Sequence, residues 1–299
     1  WAVPARFDGA LKRPQLRFTA VGLKGRQFKL QTKLEGRWRD QREGEWHKPD
    51  GAATIRLPAS WYTRARSAWR LVFPASAGQP TVITPARWVY RTPYYEPVNC
   101  RKVKCAALTF DDGPGPGTAQ LLDILRRRKA PATFFLLGGQ AAAYPQIVRR
   151  QVREGHEVES HTYSHPNLNS LSGGAIADQM SRSAKAITKA AGVAPHLMRP
   201  PYGNADGHVR SALAAKGYPL INWSVDTRDW EHRNPAKTLA HVHNDTSAGA
   251  IILMHDIHPT TIAAVNACIT DLRKRGFTLV TVEDLLGKHL TAGQVYYNR

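Results

Sequence analysis

The 299-residue sequence predicts a small all-β, sandwich-like domain over residues 1–97, followed by an α/β domain over 98–299. Three observations predict this division. The first third holds short β-type runs and no long helical periodicity. From Cys105 onward, short apolar runs alternate with amphipathic helical stretches. Glycine often follows those stretches, as it does where a left-handed residue closes a helix.

In the first region the runs are "LRFTAVG", "FKLQTKLEG", "ATIRLP", "AWRLVFPAS" and "PTVITPARWVY". Gly and Pro clusters separate them at short intervals, as in a sandwich. Trp38, Trp46, Trp61 and Trp69 are spread through it. Their ring faces can stack on sugars, although such residues more often pack in a core. The Pro/Tyr-rich stretch "TPYYEPVNC", 92–100, reads as a linker.

In the second region the apolar runs are "CAALTF", "ATFFLLG", "HEVES", "HLMRPP", "YPLINWSV", "AIILMH" and "FTLVTV". Helical stretches lie between them, among them "TAQLLDILRRRKA", "PQIVRRQVREG", "AIADQMSRSAKAITKAAG" and "DGHVRSALAAKG". Seven strand–helix repeats indicate a parallel sheet. A βα barrel and an open doubly wound sheet both satisfy the pattern.

Hydrophobic residues make up 42% of the chain and charged residues 22%, a globular composition. No run of about 18 apolar residues occurs, so no membrane span is expected. Residue 1 is Trp rather than Met, and the expectation is a processed or trimmed chain. The formal net charge is +19, with 18 Lys/Arg against 7 Asp/Glu in residues 1–100 and 24 against 16 in the rest. Such a balance suits an anionic partner: nucleic acid, an acidic envelope polymer or a lipid surface. A solvated basic surface accounts for it equally well, because the charges are scattered along the sequence. No nucleic-acid-binding motif is visible, and no nucleic-acid partner is expected. Of three cysteines, Cys100 and Cys105 are close enough to close a small loop, which suits an exported protein. Cys268 falls in a helical pattern and reads as a buried thiol.

Polar residues follow five of the seven apolar runs. The first run ends in Asp111 and Asp112, within "LTFDDGPGPGT". The third leads to His161 and His165, the fourth to Arg199 through Gly203, the fifth to Asp226, Asp229 and Trp230, and the sixth to His255, Asp256 and His258. In a βα barrel all these ends converge on one face. Two imidazoles four residues apart and a carboxylate form a facial set for a divalent metal. Pro166 disfavours a regular helix at His165 and puts the pair on a loop or a single turn. Hydrolysis at such a metal needs a base and an acid. Asp111, beside the ligand Asp112, is placed as the base. His255 is the natural acid, kept protonated by Asp229. Arg199 is expected to orient Asp111 as a bidentate partner and to keep it ionised. Taken singly, each residue has an ordinary alternative: a surface ion pair for Arg199, a turn or N-cap for Asp226, core packing for Trp230.

The ordered motifs "TFDDGP", "HTYSH", "RPPYG", "DTRDW" and "LMHDIH" resemble the five motifs of the polysaccharide deacetylase (NodB homology) family, carbohydrate esterase family 4, over about 100–287. The resemblance implies a distorted (β/α)7 barrel. It implies that Asp112, His161 and His165 hold Zn2+, with Co2+ or another divalent metal able to substitute. It implies that Asp111 is the base, steered by Arg199, and His255 the acid, tuned by Asp229. The backbone N–H of Tyr202 then stabilises the oxyanion, and Trp230 and Leu253 wall the pocket for the acetyl methyl. The implied reaction is removal of N-acetyl groups from N-acetylglucosamine (GlcNAc) residues of chitin, chitooligosaccharides or peptidoglycan. The alternatives are an acetylxylan esterase and an inactive wall-binding protein. A secreted or wall-associated monomer is expected, with a GlcNAc-containing polysaccharide as partner and anionic wall polymers as a further one. The chain departs from the family in "EVES": Glu159 and Ser160 stand where many members carry Gly-Asn or Gly-Ser, so altered surroundings of the metal ligands are expected there. His258 lies beyond the fifth motif and is assigned no role.

Overall fold

The structure is a computed structural model. It describes residues 15–34, 37–47, 50–56, 66–76, 78–84, 87–90, 98–192, 194–287 and 290–299. Two compact units divide the chain, Trp1–Glu96 and Pro97–Arg299. Trp61 and most of the linker stretch lie outside the described residues.

In the first unit the described elements are strands. β1 (Gln15–Ala20) pairs antiparallel with β4 (Gly51–Arg56). A second antiparallel sheet has the order β3 (Arg37–Glu45), β2 (Gln27–Leu34), β5 (Arg66–Phe73), β6 (Val82–Ile83), and β7 (Arg87–Tyr90) also pairs with β5. Phe28 and Leu30 of β2 alternate with solvent-facing Lys29 and Gln31, and the apolar set packs with Trp46, Trp69, Leu71 and Phe73. Trp46 and Trp69 are therefore core residues. Trp38 is half-buried beneath the Arg70 guanidinium, 4.2 Å from its ring. β3, "RWRDQREGE", carries no alternating hydrophobic signal. It is an edge strand exposed over most of its length and buried fully nowhere, so little selects apolar residues in it.

In the second unit a parallel sheet has the order β10 (Glu157–Ser160), β9 (Thr133–Leu136), β8 (Cys105–Asp111), β13 (Ala250–His255), β12 (Val225–Asp226). One edge of β8 is shared. β14 (Thr278–Val280) pairs with Cys105–Ala107, and β9 pairs with Thr109–Asp111. Every residue of β8 is buried, as expected for a strand covered on both faces. Beyond β10, single bridges at Met198 lead to β11 (Leu220–Ile221), which pairs with β15 (Val295–Tyr296). The apolar run "HLMRPP" thus yields a bridge rather than a strand, because Pro200 and Pro201 cannot donate to a ladder.

The helices cover this sheet. α1 is Thr118–Arg127, α2 Gly138–Ala143, α3 Pro145–Arg153, α4 Gly173–Ala191, α5 Gly207–Ala214, α6 Asp229–His232, α7 Pro235–Asp245, α8 Pro259–Lys274 and α9 Val282–Leu286. α4 starts at Ser172, whose hydroxyl accepts the Ala175 N–H, and stops at Gly192 with φ 78°. α8 buries Ile262, Val265, Ile269 and Leu272, a spacing that puts one stripe against the sheet. Each such burial contributes about 1.5–3 kcal/mol. No helix among the described residues is long and apolar enough to cross a membrane. Cys100 and Cys105 form a disulfide, and Cys268 is a buried free thiol.

Candidate active site

Parallel pairing sends the C-terminal ends of β8, β9, β10, β12 and β13 to one side. His255 is the register partner of Asp111 on the adjacent strand. A cavity of about 370 Å³ opens there, lined by Asp111, Asp112, His161, His165, Tyr202, Trp230, Leu253 and His255, together with Pro200, Trp223 and Asp226. The structure thus brings eight of the ten predicted site residues to the cavity wall. The other two, Arg199 and Asp229, lie behind it, each bonded to a lining residue.

One carboxylate and two imidazoles converge. The Nε2 atoms of His161 and His165 each lie 3.6 Å from Asp112 Oδ1. That oxygen is buried and accepts no hydrogen bond among the described residues. His161 Nδ1 lies 2.7 Å from the Arg199 carbonyl, so Nδ1 carries the proton and Nε2 offers a lone pair. Burial pushes the His161 pKa down to about 3, against the opposing charge of Asp112, and keeps the ring neutral. Three ligand atoms within 4.8 Å of one another, all of oxygen or imidazole type, fit a divalent cation.

The loop bearing the histidines is held from several sides. The His165 N–H donates to Thr162 Oγ1, and Gln179 Oε1 of α4 accepts the N–H groups of Tyr163 and Ser164. Asp112, Thr162, His165 and Tyr202 all adopt positive φ between 61° and 71°. Such backbone persists only where surrounding contacts over-determine it, and here it clusters around the cavity.

Asp111 is 2% exposed, and its Oδ1 accepts one N–H from Arg199 Nη1 at 2.8 Å. The expected bidentate pairing is not what forms. Nη1 also donates to Thr109 Oγ1, while Nε and Nη2 donate to the Ile221 and Asn222 carbonyls. The guanidinium is spent on backbone as well as on Asp111, because two consecutive carbonyls at the end of β11 have to be satisfied there. Arg199 does not hold Asp111 below the usual carboxylate range either. Burial raises the Asp111 pKa and outweighs the charges of Arg199 and His255. A raised value suits a group that must take up a proton near neutral pH.

His255 Nδ1 lies 2.8 Å from Asp229 Oδ1, and the His255 N–H donates to Asp229 Oδ2. Thr261 Oγ1 donates to that same oxygen. Burial lowers the His255 pKa, but the bond and charge of Asp229, with the charges of Asp111 and Asp112, overcome it and push it up to about 9. Asp229 is lowered despite burial by the same His255 contacts and the Thr261 hydroxyl. The stabilisation from this pair is fully present between the ordinary carboxylate and imidazole values of 3.8 and 6.5; it is lost as pH rises through about 9, and as pH falls through the lowered pKa of Asp229.

Trp230 is 47% exposed and faces the cavity, so it is not core, whereas Leu253 is 3% exposed in the cavity floor. The Tyr202 ring stacks edge-on 4.7 Å from His165. Its backbone N–H donates to no protein acceptor among the described residues. Asp226 Oδ1 accepts the Arg228 N–H, which is a turn contact, although the residue also lines the cavity. The His258 ring centroid is 5.8 Å from that of His255.

Glu159 points away from the three candidate ligands. Its Oε2 accepts the His196 and Leu197 N–H groups and its Oε1 pairs with His196 Nδ1 at 3.0 Å, while Ser160 bonds Ser183. The departure in "EVES" is absorbed on both faces of β10, Ser160 against α4 and Glu159 against the His196–Leu197 segment. Sequence reading passed over Trp223, which lines the cavity and packs against Arg199, and Gln179. Gln179 gives no sequence signal, since it is one polar residue on an exposed helix face.

Residues 98–221 match the family model "Polysaccharide deacetylase". The chain is 41% identical over 197 residues to the peptidoglycan-N-acetylglucosamine deacetylase PgdA of Listeria monocytogenes, covering 66% of this chain and 42% of that protein. It is 38% identical to a chitin deacetylase of Colletotrichum lindemuthianum, covering 64% of this chain and 82% of that one. The chain therefore spans about two-fifths of the length of the PgdA proteins it matches. Among solved structures, "T48 deacetylase with substrate" aligns with a TM-score of 0.64 and 42% identity, over 67% of this chain and 99% of that one. The peptidoglycan deacetylase PdaC of Bacillus subtilis aligns with a TM-score of 0.60 and 39% identity, over 63% and 92%. With these motifs on these strand ends, and with a chitin deacetylase and two solved deacetylase structures this similar over most of their own length, the chain belongs to the polysaccharide deacetylase family.

Proposed function

We propose that the protein is a zinc-dependent hydrolase that removes N-acetyl groups from GlcNAc residues of chitin, chitooligosaccharides or peptidoglycan, acting as a secreted or wall-associated monomer. One observation carries the reading. A buried carboxylate and an imidazole bonded to a second carboxylate face one cavity from adjacent strand ends, beside an unpartnered carboxylate oxygen and two converging imidazole nitrogens. Peptidoglycan and chitin deacetylation by the relatives supports the substrate class.

Asp112, His161 and His165 would hold the ion, which supplies Lewis-acid activation when bound. Asp111 takes the proton of the attacking water. His255, held by Asp229, delivers a proton to the departing amine nitrogen. The Tyr202 N–H donates to the oxygen that gains charge as the amide carbonyl is attacked. Trp230 and Leu253 enclose the methyl group and exclude water from it. We read the sheet order as the distorted (β/α)7 barrel of the family. We read residues 1–97 as an all-β domain that binds wall polymer or carbohydrate.

Acetate release from chitooligosaccharides, peptidoglycan and acetylxylan tests the reading. Release from the first two is expected, and release from acetylxylan alone would make the enzyme an esterase. Dialysis against a chelator should abolish release, and Zn2+ or Co2+ should restore it. Activity unaffected by chelation refutes the metal assignment. The rate should also fall as pH rises through about 9, where His255 loses its proton. Asp229→Asn should move that alkaline limb to lower pH, and a limb that stays put removes His255 as the acid.

A further inference from the structure

Three basic runs that are far apart in sequence meet at the end of the sheet opposite the cavity. They are "RKVK" at 101–104, "RRRK" at 126–129 and "RKR" at 273–275, which hold three, four and three cations. The topology brings them together. β8 begins directly after the first run, the second closes α1 before β9, and the third closes α8 before β14. β14 and β9 follow one another along one edge of β8, β14 opposite Cys105–Ala107 and β9 opposite Thr109–Asp111.

Side-chain contacts join the runs into one patch. Arg273 Nη2 donates to the Lys129 carbonyl, and Arg128 Nη2 donates to Thr270 Oγ1 of α8. The Phe277 ring lies between the Arg275 guanidinium at 5.2 Å and Lys104 Nζ at 6.0 Å. The nearby acids are few. Asp123 pairs with Arg126 and Arg150, and Asp271 pairs with Arg275 and His243. Among the described residues Arg101, Lys102, Lys104, Arg127, Lys129 and Lys274 have no carboxylate partner. Complementing helix C-termini explains the last turns of α1 and α8. It does not explain 101–104 or Lys129, which lie outside any helix.

We infer that this patch is a docking surface for a phosphate-rich polyol polymer of the kind that shares a wall with a glycan substrate, an inference that rests on the proposed function. The surface chemistry separates this occupant from two others. Base stacking on single strands needs exposed aromatic rings, and Phe277 is only 6% exposed. Seating on a bilayer needs an apolar face, and Val103 is the one large hydrophobic exposed within the runs. Charge without aromatic or apolar anchors fits a hydrophilic polyanion. Binding there leaves the cavity at the other end of the strands open.

The test uses the full chain and poly(glycerol phosphate), with duplex DNA and vesicles of phosphatidylcholine and phosphatidylglycerol as competitors. Affinity should fall steeply between about 50 and about 200 mM NaCl. The triple variant Arg127→Gln, Lys129→Gln, Lys274→Gln should bind at least about tenfold more weakly, with the salt slope reduced by about one per cation removed. Its acetate release from soluble chitooligosaccharide should equal that of the parent. If the triple variant melts early, Lys274→Gln alone should still lower the slope by about one. An unchanged affinity and slope, or tighter binding of DNA or vesicles than of poly(glycerol phosphate), overturns the inference. Neither outcome depends on whether acetate is released, so the deacetylase reading stands or falls separately.

Discussion

Asp111→Asn should cut acetate release by about 10²–10⁴-fold, the usual cost of losing a positioned proton acceptor, while the zinc stoichiometry stays that of the parent. The reasons lie in the geometry. Asparagine has nearly the shape of aspartate, and its carbonyl oxygen can keep the 2.8 Å bond from Arg199 Nη1. It cannot take up a proton at neutral pH. The candidate ion rests on Asp112, His161 and His165, which the substitution leaves in place. Activity and metal content are therefore separable readouts. A variant that keeps activity within tenfold would falsify the assignment of Asp111 as base. A variant that loses its metal would show instead that the residue acts through the ion.

Arg199→Ala should be the most destabilising single change at the site, costing about 3–5 kcal/mol, the typical result of removing one partner of a buried ion pair. Arg199 is fully buried. Its guanidinium lies 4.2 Å from the Phe135 ring and 5.5 Å from that of Trp223, with donors to Asp111, Thr109 and two carbonyls. Truncation leaves a carboxylate without its counter-charge in a site that already raises its pKa, and it orphans two strand-end carbonyls. Thermal unfolding of the second unit should drop by roughly 6–20 °C. Arg199→Lys should recover only part of this, because a point-like ammonium cannot serve four acceptors on a planar fork. A melting temperature within about 2 °C of the parent contradicts the account, since that corresponds to under about 1 kcal/mol. Activity should be lost in step, because the same contact holds Asp111 against the cavity.

Much of the catalytic half was legible in the chain itself. β8 is buried on both faces, so "CAALTF" had to be continuously apolar, and the polar pair could appear only where the strand ends. The same logic placed His255 at the end of "AIILMH". The αL stop at Gly192 and the stripe on α8 carry equally local signals. The first unit was less legible. β3 is absent from the apolar runs because a largely exposed edge strand places little demand on its side chains.

The order of residues along the chain thus determined the element types, the strand-end chemistry and the family, since each follows from neighbours within one turn or one strand. Tertiary structure alone decided how Arg199 divides its donors, that Glu159 accepts the N–H groups of the adjoining His196–Leu197 segment, and that three scattered basic runs form one patch. Those outcomes depend on which strands lie side by side. Pairing among β8, β9, β13 and β14 joins residues up to 173 positions apart, as in Thr278 with Cys105, and no local pattern records such distances.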